Sequence, residues 1–249
     1  MNNTIHLGQP WLDELLPDGL PVPSSTIISG PGGSGKPLIG AIILAAWLRS
    51  GGSALVFLIN SDRTYVEKLL AMYGLSPLEF RFKIMYIYFD PQIESTVKVE
   101  PDLLRANILK PDVLREAIET GRMLLDSSKK NIILYGSALN ILFFSRTWGE
   151  KIFAEWEKVL FDEKEFSSTL SVSTSAFREK IEQLEELADN LMYTRMAEST
   201  TMHFQIARVR GAHFESQEVK VPFTEETLKA LKAETDRFRR KIIPTVSKI

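Results

Sequence analysis

The chain has 249 residues, of which 44% are hydrophobic and 25% are charged, and it contains no cysteine. This composition is typical of a globular protein with a substantial core, and it excludes collagen-like, disordered and disulfide-rich classes. Thirty basic residues against 32 acidic ones give a formal net charge of −2, which argues against a protein whose whole surface binds nucleic acid.

No segment predicts export, membrane insertion or metal binding. The first residues lack the charged and apolar regions of a signal peptide. The longest apolar stretches, 38–48 and 132–144, have 11 and 13 residues, whereas a membrane-spanning helix needs roughly 17 to 25. The three histidines, His6, His203 and His213, are dispersed. We therefore expect a cytoplasmic protein with no contact to a membrane and no metal ligands.

Strands and helices alternate along the first half of the chain. Short apolar runs predict buried strands at 25–29, 53–59 and 83–89. Helical patterns separate these runs, at 38–48 and 64–73. The segment 90–111 contains three prolines and little periodicity, which predicts a surface loop or insertion.

The second half continues the alternation. Helices are predicted at 112–125, with Asp112 as N-cap, and at 181–191. Strands are predicted at 131–134, 169–173, 201–209 and 218–221. The pattern predicts an α/β protein whose mostly parallel central sheet is flanked by helices, with antiparallel strands near the C-terminal edge.

A glycine-rich loop carries the clearest chemistry. Gly30-x4-Gly35-Lys36 follows a predicted strand and precedes a predicted helix, which is the context of a Walker A phosphate loop. Glycines let backbone N–H groups converge on phosphate oxygens, and the lysine reaches the terminal phosphates. An ordinary strand–turn–helix connection would not explain Lys36 beside four glycines. We therefore expect ATP or ADP as ligand, with candidate binding residues Gly30, Gly32, Gly33, Ser34, Gly35 and Lys36.

The residue after Lys36 departs from this motif. A Ser or Thr normally follows the lysine and binds Mg²⁺ through its hydroxyl, whereas Pro37 has neither a hydroxyl nor an N–H. Proline suits the first turn of a helix, so the helix is expected to form while the Mg²⁺ dependence of nucleotide binding is in doubt.

Three further blocks resemble the KaiC-like branch of the RecA-superfamily ATPases. The family's LDELLGGGLP, EELADGVI and KMRGS.H…HPFEI segments are similar here to 12–21, 185–189 and 208–224. The resemblance covers roughly residues 5–224 and implies a RecA-like core over 1–224, in a paralogue of the RadA type, followed by a basic helical extension over 225–249. The family commonly forms rings or filaments with nucleotide between subunits. The resemblance thus implies a homo-oligomer, or a partner that is an active RecA-, RadA- or KaiC-like ATPase.

The positions that match the family's catalytic carboxylates hold other residue types. Asn60 and Ser61 stand where the family has two adjacent glutamates, one of which activates the attacking water. Tyr135 or Gly136 stands where the Walker B aspartate belongs. Asp62 is displaced by one or two residues and is the remaining candidate base. Phosphoryl transfer depends on metal and water positioning, so these changes argue against useful ATP hydrolysis and leave open whether the chain is an enzyme.

Arg208 and Arg210 are the remaining candidate nucleotide-binding residues. They alternate on a predicted strand and point to one face. They match a basic pair that, in the family, reaches the phosphates of a neighbouring subunit, and arginine pairs bidentately with phosphate oxygens. Ordinary salt bridges are the alternative, and His213 is interpreted as an interface or solvated histidine.

The C-terminal segment is basic and helical in pattern. From Lys229 to the end it has seven basic and two acidic residues, and Leu228, Leu231, Phe238 and Ile242 line one apolar face. It either contacts nucleic acid or an acidic partner, or docks on its own domain.

The segment 145–168 lies where recombinases have DNA-binding loops. It is helical in pattern and as acidic as it is basic, and Trp148, Phe153 and Trp156 are interpreted as packing residues rather than base-stacking platforms.

Together these residues predict a KaiC-like paralogue with a degenerate ATP site. It would bind nucleotide without hydrolysing it and act as a regulator or scaffold, through self-assembly or an active ATPase partner. One alternative is a slow ATPase with Asp62 as base. The other is an accessory of DNA recombination or repair that binds nucleic acid through the basic segment.

Overall fold

A long, mostly parallel β-sheet forms the centre of the computed structural model, which describes residues 4–125, 131–162, 166–197 and 201–249. Within these residues the strands are β1 Thr4–Ile5, β2 Leu20–Pro21, β3 Ser25–Gly30, β4 Ser53–Leu58, β5 Ile84–Phe89, β6 Val97–Glu100, β7 Leu103–Ala106, β8 Ile132–Gly136, β9 Ser167–Ser173, β10 Asn190–Ala197, β11 Thr201–Val209 and β12 Val219–Lys220. The helices are α1 Pro10–Leu15, α2 Lys36–Arg49, α3 Arg63–Met72, α4 Pro111–Leu124, α5 Gly149–Glu157, α6 Arg178–Leu187 and α7 Glu225–Val246. A 3₁₀-helix spans Leu139–Phe144 and a π-helical segment spans Lys158–Asp162.

The strands of the main sheet follow the order β12-β11-β10-β3-β9-β8-β4-β5-β7-β6. The pairings from β10 through β7 are parallel. The pairings β10–β11 and β11–β12 at one edge, and β6–β7 at the other, are antiparallel. This arrangement confirms the predicted α/β architecture, including the antiparallel strands near the C-terminal edge.

Both faces of the sheet are covered by helices. Along β4, Val56 and Leu58 pack in a core with α2 and α3, while Leu55 and Phe57 pack in a second core with α4 and α5. Successive side chains of a strand point to opposite faces, so a strand buried on both sides reads as one apolar run. The run SALVFL is such a strand.

The aromatic residues of the segment after the 3₁₀-helix belong largely to the second core. Trp156 is fully buried and packs edge-to-face on Phe57, with ring centroids 5.1 Å apart. Phe153 is buried against Phe143, with ring centroids 5.3 Å apart. These contacts confirm the packing role predicted for Phe153 and Trp156.

The prediction of a surface loop at 90–111 was wrong. This segment contains the antiparallel pair β6–β7, and β7 continues the sheet in parallel with β5. Leu104, Ile108 and Leu109 are buried in the second core. Pro101 lies in the turn between β6 and β7, and Pro111 begins α4. The prolines therefore mark the ends of elements, and the alternation of the buried Leu104, Ala106 and Ile108 with polar residues was the signal for a strand.

Two predicted helix boundaries also differ. Helix α4 begins at Pro111 with Lys110 as N-cap, so Asp112 lies within the first turn and is not the cap. Helix α6 ends at Leu187, and Leu191 belongs to β10, which pairs with β3. The backbone pairing of β10 with β3 therefore determines the structure of the last residues of the predicted helix, although their sequence has a helical pattern.

Helix α7 crosses the edge of the sheet at which the parallel strands end. Near its start, Leu228 is buried in the core that contains α2 and α3, and near its end Val246 is buried in the core that contains α4 and α5. Twenty-two residues at about 1.5 Å each extend roughly 33 Å, which is enough to link the two helical layers. No helix in the described ranges combines the length and apolar character needed to cross a bilayer.

Candidate functional site

The glycine-rich loop connects β3, in the middle of the sheet, to α2. Strand β3 ends at Gly30 and α2 begins at Lys36, so the predicted strand and helix lie on either side of the loop. Gly35 is the N-cap of α2 with φ of 81°, and a Cβ at this position would collide with Met202 Sδ. Both backbone conformation and packing therefore require glycine there. Ligands of open α/β sheets bind at this carboxyl end of the strands.

Lys36 is buried inside the loop. Its Nζ donates hydrogen bonds to Gly30 O at 2.8 Å, Pro31 O at 2.5 Å and Ser34 Oγ at 3.2 Å. Burial, together with the positive charge of Arg239, lowers the pKa of Lys36 from 10.5 to about 7. An anion in the loop would restore the charged form, because an opposite charge stabilises the ammonium.

Pro37 fits the second position of α2 and also lines the cavity beside the loop. It brings no hydroxyl to the place where the motif has its Mg²⁺ ligand. Across the cavity, Asn60 Oδ1 accepts a hydrogen bond of 2.7 Å from Ser137 Oγ, which joins the regions just beyond β4 and β8. Tyr135 is buried beneath α2 against Gly40, and burial raises the pKa of its hydroxyl.

Helix α7 forms the opposite wall of the cavity. The guanidinium of Arg239 lies so close to the loop that a Cβ on Gly32 would be 2.9 Å from its Nη1. A Cβ on Gly33 would be 3.2 Å from Lys232 Cε. Of the two interpretations of the basic segment, the structure shows the helix docked on its own domain. Neither Lys232 nor Arg239 was a predicted site residue.

The cavity has a volume of about 100 Å³ and is partly open to solvent. Its walls are the loop, the segments that follow β8 and β9, and α7. Its polar lining consists of cations, hydroxyls and amides, and Asp236 of α7 is the one carboxylate among the lining residues that the structure describes. Within the described ranges, no three histidine, aspartate or glutamate side chains are grouped to hold a metal ion.

Asp62, the candidate base, has a structural partner. It is the N-cap of α3, and its Oδ1 accepts a hydrogen bond of 2.8 Å from Tyr65 N. Its carboxylate is not among the described groups that line the cavity. The structure therefore does not bring Asp62 together with Lys36.

Arg208 and Arg210 lie at the other end of the sheet from the loop. Val209 pairs with Asn190, which in turn pairs with Thr26 at the start of β3, whereas the loop follows the end of β3. Arg208 Nη2 donates a 2.8 Å hydrogen bond to the carbonyl oxygen of residue 188, just beyond α6, and Arg210 Nη1 lies 3.6 Å from the carboxylate of residue 189. Within one chain these arginines bind the end of α6, and their role toward a neighbouring subunit stays a prediction.

Comparisons with known proteins add a fold relationship. No protein-family model and no curated protein matches the chain. The crystal structure of a KaiC-like protein from the hyperthermophilic archaeon Pyrococcus horikoshii OT3 is similar with a TM-score of 0.67, over 90% of this chain and 97% of that chain, at 15% sequence identity. At this identity the likeness shows the fold, so the chain has the RecA-like fold of KaiC-like proteins, with the glycine-rich loop after a central strand of its sheet.

Proposed function

We propose that the chain is a RecA-superfamily paralogue that binds ATP or ADP at the glycine-rich loop without hydrolysing it. The observation that carries this proposal is the combination of Lys36, buried in a loop at the carboxyl end of the central strand, with a cavity that offers cations and hydroxyls. Backbone N–H groups and the positive end of α2 suit phosphate at this position.

The absence of hydrolysis follows from the groups that face the loop. Pro37 offers no oxygen to Mg²⁺. An amide has no basic site that could take a proton from water, and the Oδ1 of Asn60 already accepts from Ser137. With no hydroxyl after Lys36 and with Asp236 as the one described carboxylate in the cavity, the metal and water positioning on which phosphoryl transfer depends is incomplete.

A nucleotide that is bound but not cleaved suits a regulatory or scaffolding role. We propose that residues 1–224 form the KaiC-like core and that 225–249 is its extension. The protein would act by assembling with itself or with an active ATPase of the same superfamily, and light scattering of the purified protein with and without ATP tests self-assembly.

Calorimetric titration of ATP and ADP, each in Mg²⁺ and in EDTA, tests the binding function. We expect affinities in the two buffers to agree within about twofold, because the loop lacks its Mg²⁺ ligand. Lys36→Ala should weaken binding by about tenfold or more, whereas Lys98→Ala, on the exposed strand β6, should not change it.

Two outcomes would contradict the proposal. One is no detectable binding in either buffer with no rescue by Pro37→Thr, which would mean that the loop no longer serves nucleotide. The other is steady-state phosphate release that Lys36→Ala abolishes, which would make the chain an ATPase.

A further inference from the structure

We propose that α7 supplies two cations, Lys232 and Arg239, which bind the same phosphate groups as Lys36, so that a polyphosphate is held from both sides without Mg²⁺. This inference rests on the proposed nucleotide binding and extends it, because it assigns part of the site to the C-terminal helix of the same chain.

The positions of these two side chains support the inference. Lys232 and Arg239 are seven residues apart in α7, which is about two helical turns, so both project from the same face. That face lies on the loop, with Arg239 against Gly32 and Lys232 against Gly33. An anion cradled by the loop would therefore contact the helix as well.

The charges of the site are only partly balanced by the protein, because Asp236 is the one described carboxylate that lines the cavity beside Lys36, Lys232 and Arg239. In the part of the chain that the structure describes, no ion pair joins Lys232 or Arg239 to a carboxylate, although Lys229 and Glu234 of the same helix have charged partners. Lys36 is a third cation facing them, and Arg239 contributes to lowering its pKa. Lys232 and Arg239 are exposed while Lys36 is buried, so the unfavourable charge interaction falls mainly on the protonated form of Lys36. A multivalent anion bound between these side chains would stabilise all three charges.

The lining of the cavity indicates the part of the ligand that α7 contacts. Lys232 and Arg239 lie against the glycines of the loop, where phosphate groups would bind. Apolar side chains, among them Phe144 and Leu231, line other parts of the cavity. The chemistry that the two cations recognise is thus a polyphosphate chain, as in ATP, ADP or inorganic triphosphate.

Cations can replace the metal in this role. Mg²⁺ neutralises polyphosphate charge in ordinary phosphate-loop proteins, and the usual hydroxyl ligand is missing at Pro37. Arginine and lysine donate charge-assisted hydrogen bonds to phosphate oxygens. Two such side chains on α7 offset the charge that the metal would otherwise neutralise.

The test compares two double variants that remove the same charge from the same helix. Inorganic triphosphate, ATP, ADP and adenosine are titrated in EDTA into the unmodified protein, Lys232→Gln/Arg239→Gln, and the control Arg240→Gln/Lys241→Gln. Arg240 and Lys241 are exposed and do not line the cavity. Circular dichroism melts establish that all three proteins are equally folded.

We expect Lys232→Gln/Arg239→Gln to bind triphosphate, ATP and ADP about tenfold or more weakly than the unmodified protein. The control variant should bind them within about twofold of the unmodified protein. Adenosine should not bind, because the charged groups of the site bind phosphate and adenosine has none.

Other results would overturn the inference. If Lys36→Ala abolishes binding but Lys232→Gln/Arg239→Gln does not weaken it, the inference fails while the proposed function stands. If the variant binds more tightly than the unmodified protein, α7 obstructs the loop. A requirement for Mg²⁺ would also refute it, and the absence of all binding would remove both proposals.

Discussion

Lys36 is held by three acceptors of its own loop, and its buried position next to Arg239 lowers its pKa to about 7. At the residue scale this lysine carries the site, and its type and place were predictable from the spacing of glycines. Its pKa was not, because the cation that helps to lower it lies in α7, far along the chain.

The lowered pKa of Lys36 gives a linkage prediction. In the unfolded chain the lysine keeps its proton up to about pH 10.5, and in the native protein it loses the proton near pH 7. Between these values unfolding takes up a proton, so the contribution of Lys36 to stability rises with pH. The quantity to follow is the difference in the free energy of unfolding between the unmodified protein and Lys36→Met. We expect this difference to increase by about 1.4 kcal/mol per pH unit from roughly pH 7.5 to 9.5.

Urea unfolding of both proteins across this range measures the difference, in which the other titrating groups cancel. A difference that stays constant would show that Lys36 has an ordinary pKa and is therefore not buried as a neutral amine.

Asp62 gives a second prediction at the same scale. Because it caps α3, Asp62→Ala should cost about 1 kcal/mol of stability, whereas Asp62→Asn should cost almost nothing, since asparagine caps equally well. Phosphate release should be the same for both variants and the unmodified protein. Loss of release in Asp62→Asn with unchanged stability would instead identify a base.

At the scale of elements, most strands and helices could be predicted from the pattern of apolar residues. In particular, the strands of a sheet that is buried on both faces have continuous apolar sequences. The prolines of 90–111 predict a loop where the pair β6–β7 lies, because proline breaks regular structure, yet here Pro101 and Pro111 stand only at the ends of elements. The amphipathic pattern of α7 predicted a helix with one buried face. It could not tell which surface that face covers, since docking depends on contacts between distant parts of the chain.

Stability measurements test what Arg208 of β11 and Arg210, one residue beyond the strand, contribute at the end of α6. Arg208 satisfies carbonyl groups at this helix end, so Arg208→Ala should cost about 1 to 3 kcal/mol by leaving them unpaired. Arg210 is exposed and the hydrogen bond that its guanidinium donates to a helix carbonyl is 3.5 Å long, so Arg210→Ala should cost about 0.5 kcal/mol or less. Denaturant midpoints measure both. If both variants are as stable as the unmodified protein but bind nucleotide more weakly in the assembled protein, the two arginines instead contact the phosphates of a neighbouring subunit.

At the scale of the whole molecule, α7 joins the two cores that the sheet separates. A ligand that bridges the loop and α7 should therefore slow amide exchange in both segments together. We expect triphosphate to protect 30–36 and 225–246, and to leave α4, on the far part of the sheet, unchanged. Hydrogen exchange followed by mass spectrometry resolves these peptides. Protection confined to the loop would mean that α7 does not take part in binding.

The two anchors of α7 also have a consequence for the time course of binding. Leu228 and Val246 hold the helix on opposite sides of the sheet, so α7 spans the cavity between two buried anchors. We expect the nucleoside part of a nucleotide to enter past α7, so that its arrival waits for one anchor to release. Stopped-flow association rates should level off at high ATP concentration, at the opening rate of the helix, while the smaller inorganic triphosphate continues to bind faster as its concentration rises.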